Sequence, residues 1–135
     1  LAIFLSKKYE VTQCATAEEA LRLADSGFRP QVVVADLELP EMSGTDLIKI
    51  LRLHMPYTPI LTLSGAKESR FRLAALAAGA DDFLAKPFHP AELDVRLIKL
   101  LDRREKMTAS PKTTAHPATQ NWFGTLRRAA AVFSF

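Results

Sequence analysis

Residues 31–44 read Gln-Val-Val-Val-Ala-Asp-Leu-Glu-Leu-Pro-Glu-Met-Ser-Gly. Val32, Val33 and Val34 make an unbroken β-branched run that ends at the carboxylate Asp36, and a turn-forming stretch with Pro40 and Gly44 follows. A run without polar alternation offers no face to water, so it predicts a strand buried on both sides, as in the interior of a parallel sheet. Downstream, Leu47, Ile48, Leu51 and Leu53 recur at helical spacing until Pro56 and Pro59. Pro59–Ser64 then repeats the theme of an apolar strand ending in a small polar residue. An alanine-rich helix is predicted from about Lys67 to Ala78, closing at Gly79, and Asp82–Lys86 reads as a short strand cut off by Pro87. Pro90, tolerated in a first helical turn because its missing N–H has no partner there, opens a last helix with the stripe Leu93, Leu97, Leu100 and Leu101.

Upstream, Thr16-Ala-Glu-Glu19 has the form of a capping box for a helix carrying Ala20, Leu21, Leu23 and Ala24 and stopping near Gly27. Tyr9–Cys14 reads as another strand. Strict alternation of strand and helix argues for βαβ units, and so for a doubly wound parallel α/β sheet with helices on both faces. The regular pattern covers residues 9–101, and the domain is expected to span residues 1–107. Residues 108–120 are rich in Ser, Thr, Pro and Ala without apolar periodicity and read as a linker. Residues 121–135, with Trp122, Phe123, Phe133 and Arg127-Arg128, are too short for a domain and are left as an unassigned aromatic and basic tail, readable as an amphipathic helix or a non-native end.

The 135 residues, 48% apolar and 24% charged, suit one globular domain and exclude a disordered chain or a multidomain enzyme. The net charge of +3 divides unevenly: residues 1–101 hold 12 basic against 13 acidic residues, whereas residues 102–135 hold 6 against 2. The basic character therefore belongs to the tail. With no helix-turn-helix pattern and no basic-aromatic interleaving, direct nucleic-acid binding by this domain is not expected. No apolar run approaches the roughly 18 residues that span a bilayer. The single cysteine, Cys14, agrees with a reducing, cytoplasmic setting.

In open α/β sheets ligands bind at the carboxyl ends of the strands. Three such ends carry Asp36, Ser64 and Lys86: a carboxylate, a hydroxyl and an ammonium brought to one edge. That trio suits phosphoryl chemistry, with a carboxylate oxygen as nucleophile and fixed donors neutralising the phosphoryl oxygens. The segment from Val32 through Asp36, with Pro40 four and Gly44 eight residues further on, resembles the phosphoacceptor segment of bacterial response regulator receiver domains. Leu61-Thr-Leu-Ser64 resembles their fourth strand, and Gly79-Ala-Asp-Asp-Phe83-Leu-Ala-Lys86-Pro87-Phe88 their fifth.

The resemblance implies a flavodoxin-like fold and phosphorelay signalling rather than an independent enzyme. Asp36 would accept a phosphoryl group from a sensor histidine kinase or phosphotransfer protein, and Lys86 would pair with a phosphate oxygen. Ser64 would act as the switch hydroxyl and Phe83 as the switch aromatic, reshaping the face of the fourth helix, fifth strand and fifth helix. Lys86–Pro87 would be a cis peptide. Mg²⁺ would be expected, with Asp36 and the Glu38 backbone carbonyl among its ligands. The family's first strand and its acidic pair, however, have no counterpart here: Leu1–Lys8 aligns with the back half of the first helix. That predicts weak Mg²⁺ binding, poor phosphorylation by small donors, and strands at Tyr9 and Val32 without the central partner between them, a gap that dimerisation through the open sheet would fill. A piece of a longer gene product is the expected explanation. The alternative is a phosphorylation-independent receiver serving as a protein-interaction module.

Overall fold

The computed structural model describes residues 1–37, 44–65, 69–108 and 128–133. In chain order these form α1 (Ala2–Ser6), β1 (Tyr9–Cys14), α2 (Ala17–Asp25), β2 (Val32–Asp36), α3 (Gly44–His54), β3 (Ile60–Ser64), α4 (Ser69–Ala78), β4 (Asp82–Ala85), α5 (Pro90–Thr108) and β5 (Arg128–Phe133). The strands build one all-parallel sheet in the order β1-β5-β2-β3-β4.

Two apolar clusters lie on the two faces of the sheet. One joins Val33, Ala35 and Ile60 to residues of α2, α3 and α4; the other joins Val32, Val34, Leu61 and Leu63 to Leu5 of α1 and to Leu93 and Leu97 of α5. The alternation along β2 explains the unbroken valine run, because both faces are dry. Val32, Val33 and Val34 are each fully buried, a contribution of about 1.5–3 kcal/mol per side chain.

Local signals act as expected, with one difference. Thr16 Oγ1 accepts from the Glu19 N–H at 3.1 Å and so caps α2. The Glu19 carboxylate reaches back to the Ala15 N–H rather than to that of Thr16, one residue further than in a standard capping box. The α2 and α4 helices end at Gly27 and Gly79, whose positive φ angles of 92° and 120° favour residues without a Cβ. Gly44 opens α3 against the chain leaving β2: a Cβ there would stand 2.6 Å from Leu37 Cα, so only glycine permits that approach.

One expectation is corrected. The strands at Tyr9 and Val32 do not lack a central partner, because part of the tail left unassigned in the sequence, Arg128–Phe133, is β5 and lies between them. Tyr9–Cys14 pairs in register with Arg128–Phe133, and Val32–Ala35 pairs with Ala130–Phe133. The physical reason is the cost of burying unpaired N–H and C=O groups along two facing edges, which any extended segment of suitable polarity relieves. With β5 in the first-strand place, the order equals the 2-1-3-4-5 winding of flavodoxin-like sheets.

Candidate functional site

The three strand ends singled out in the sequence converge. Asp36 is level with Leu63, and Ser64 is level with Ala85, immediately before Lys86. Two backbone bonds extend the ladders past the strand ends: the Leu37 N–H donates to the Leu63 carbonyl at 2.9 Å, and the Lys86 N–H to the Ser64 carbonyl at 2.8 Å. Asp36 and Ser64 are buried at the carboxyl edge of the sheet. The Lys86–Pro87 peptide is cis.

Lys86 Nζ donates to Asp36 Oδ2 in a direct ion pair. The Asp36 side chain is 10% exposed and that of Lys86 33%, so the carboxylate is held at the bottom of the site and the ammonium at its rim. A buried carboxylate oxygen thus lies beside a positive charge held at the rim of the site. Phe83 packs in the cluster between the sheet and α2–α4, with Ile48, Leu51 and Ile60. Glu38 and Pro40, expected beside the acceptor, lie outside the described residues.

The residues described do not fit a divalent cation. Among them no three or more His, Cys, Asp or Glu residues come together closely enough to hold a metal ion. The strand beside Asp36 is Arg128–Phe133, which carries no carboxylate. Hard cations such as Mg²⁺ take oxygen ligands in a defined shell, and one carboxylate does not supply it.

Three features escaped the sequence reading or were left bland by it. Arg52, near the end of α3, donates to the carbonyls of Gly79, Met55, Pro56 and Thr58 and to Asp81 Oδ2 at 2.7 Å, while the same Asp81 oxygen accepts from the Ile60 N–H. Partners 27 and 29 residues away leave no local pattern to read. Arg96 of α5 makes a forked pair with Asp82 at 2.9 and 3.0 Å and reaches Glu92; the bonds to Asp82 hold its guanidinium above its ordinary proton affinity. Cys14, the last residue of β1, is 1% exposed, and burial, helped by the charge of Glu19, pushes its thiol up to about 11. In the folded chain at pH 8 a thiol-disulfide reagent such as DTNB is therefore expected to react at least about 100-fold more slowly than in the denatured chain. Equal rates would show that Cys14 is reachable.

Residues 2–98 match the sequence model of the response regulator receiver domain. The chain is 44% identical over 103 residues to protein PetR of Rhodobacter capsulatus, covering 76% of this chain and 43% of that protein. It is 36% identical over 97 residues to the alkaline phosphatase synthesis transcriptional regulatory protein PhoP of Bacillus subtilis, covering 72% and 40%. It thus spans less than half the length of these curated relatives. Among solved structures, a CheY-like receiver domain from Methanospirillum hungatei aligns with a TM-score of 0.72 at 29% identity, covering 78% of this chain and 84% of that one. The receiver domain of the Francisella response regulator 1452 aligns with a TM-score of 0.66 at 33% identity, covering 76% and 88%. With its sheet, its strand-end trio and this sequence match in agreement, the chain belongs to the response regulator receiver domain family.

Proposed function

We propose that this domain takes a phosphoryl group on Asp36 from a phosphohistidine of a sensor kinase or phosphotransfer protein, in the cytoplasm, and relays the change to a protein-interaction face. The observation that carries the reading is the Lys86–Asp36 ion pair at the sheet edge, with Ser64 on the adjoining strand end. An Asp36 carboxylate oxygen attacks phosphorus, the P–N bond breaks, and the imidazole leaves with the bonding pair and takes up a proton. The product is an acyl phosphate whose oxygens Lys86 and Ser64 neutralise by ammonium and hydroxyl donation.

Receiver domains generally bind Mg²⁺ in an acidic pocket; the residues described here do not form one, and the steps above use this chain's own donors. The responding face is that of α4, β4 and α5, where Phe71, Leu73, Val95 and Ile98 are exposed. Phe83 on β4 is level with Thr62, two residues before Ser64 on β3, and the proposed switch is a change in its packing when the hydroxyl shifts toward phosphate. Several relatives are named as transcriptional regulatory proteins, and the output proposed here is a protein contact rather than direct DNA binding by this domain.

The test is prolonged incubation of the full chain with phosphoramidate, followed by borohydride trapping and peptide mapping. The expected result is one hydroxylamine-labile phosphoryl group, formed slowly, on Asp36 and absent from Asp36→Asn. No label at saturating donor, or the same label in Asp36→Asn, would overturn the reading.

A further inference from the structure

Phe83 stands on β4, an edge strand of the sheet, level with Thr62 of β3. Thr62 is completely buried. It shares a face of β3 with Ile60, two residues away, and that face packs with Phe83 against the apolar side chains of α2, α3 and α4. A hydroxyl in such a place costs stability unless it is bonded, and this one donates to the Asp82 carbonyl at 3.1 Å. The same peptide unit carries the Phe83 N–H, which donates to Asp82 Oδ1 at 2.8 Å. That carboxylate is itself held by the forked pair with Arg96 of α5. The peptide plane just before Phe83 is therefore fastened twice: at its carbonyl by a hydroxyl of the neighbouring strand, and at its N–H by a carboxylate that a helix keeps in place.

The tilt of this plane sets φ of Phe83, and backbone dihedrals decide which rotamers of a side chain are open. A ring that follows a doubly fastened plane has few alternatives to its present packing. Thr62 and Ser64 are also two residues apart on β3, so the hydroxyl proposed to follow the phosphoryl group and the hydroxyl that fastens the plane lie on one face of one strand. We propose that Thr62 and Asp82 are positioning residues for Phe83: together they hold the ring in its present place, and release of either end of the plane lets it leave. The inference rests on the reading of Phe83 as the switch aromatic and adds to it the groups that set the balance between its two positions. Valine at position 62 would fill threonine's space without fastening the plane, whereas serine would keep the bond.

The test uses the full chain with para-fluorophenylalanine placed at position 83 alone and no phosphodonor. Saturation-transfer fluorine NMR reads the fraction of rings in a second environment. Thr62→Val is expected to raise that fraction about 5-fold over the native chain, the factor that one net hydrogen bond supplies. Thr62→Ser is expected to stay within twofold of native. Asp82→Ala, which frees the N–H end, should raise the fraction by a similar factor, and it carries the test if Thr62→Val does not fold. A purely structural role for Thr62 would lower the urea midpoint without moving the fraction. A second environment that is present in the native chain and unmoved by Thr62→Val and Asp82→Ala, or moved as much by Thr62→Ser as by Thr62→Val, overturns this inference alone. No second environment in any variant overturns it together with the switching role of Phe83. Labelling of Asp36 is not involved, so failure of the phosphoryl reading is seen separately.

Discussion

If Asp36 accepts the phosphoryl group as proposed, replacing Lys86 by methionine is expected to slow its uptake by on the order of 10²-fold, the usual effect of removing one fixed donor from a developing oxyanion. The ammonium is the one cation that touches the Asp36 carboxylate among the ion pairs described, and methionine keeps most of the stem while removing the charge. The same substitution takes from the buried Asp36 carboxylate the ion pair it makes with Lys86. Breaking a fully buried pair costs about 3–5 kcal/mol; because a third of Lys86 is exposed to solvent, a destabilisation of about 1–2 kcal/mol is expected here. Urea unfolding separates the two effects. Adding Asp36→Asn should restore part of the lost stability, since the buried carboxylate charge is gone, and should restore none of the uptake. A variant that labels at the native rate would place the catalytic positive charge elsewhere.

Arg52→Ala is expected to give the largest loss of stability of any single change outside the apolar core, about 3 kcal/mol. The guanidinium serves four carbonyls and the Asp81 carboxylate, and so ties the end of α3 and the α3–β3 connection to the turn before β4. Its removal leaves partly buried acceptors without donors and a carboxylate without a counter-ion, the situation in which a lost hydrogen bond costs most. Arg52→Lys should recover less than half, because an ammonium cannot present the planar fork that meets Gly79 and Asp81 together. The midpoint of urea unfolding measures both. A loss under 1 kcal/mol for Arg52→Ala would show that water replaces the guanidinium without difficulty.

The placement of the strand-end trio was legible in the sequence because each of its residues follows an apolar run whose meaning is local. Asp36, Ser64 and Lys86 each close a short buried strand, and parallel winding places strand ends of that kind on one edge. Phe83 lies in the core, in keeping with its apolar neighbours, and its part in switching is a proposal rather than a reading of its position. Gly44 was tied to the acceptor loop by the family resemblance; its reason, close approach to the Leu37 backbone, appears only in three dimensions.

What the sequence by itself determined is the alternation of elements, the depth of β2, and which side chains close three of the strands. These follow from periodicity and from the dryness of a run such as Val32–Val34, properties of a few adjacent residues. Only the tertiary structure decided which segment lies at the centre of the sheet, and which groups Arg52 serves. An alanine-rich segment beyond a linker has no strand signature of its own; it is a strand because two edges far away in the chain present unpaired N–H and C=O groups that must be met. Arg52, likewise, acquires its partners Gly79 and Asp81 only when the end of α3 comes against the turn before β4. Local pattern records what a residue avoids or prefers, whereas pairing across the fold depends on which distant groups would otherwise be buried alone.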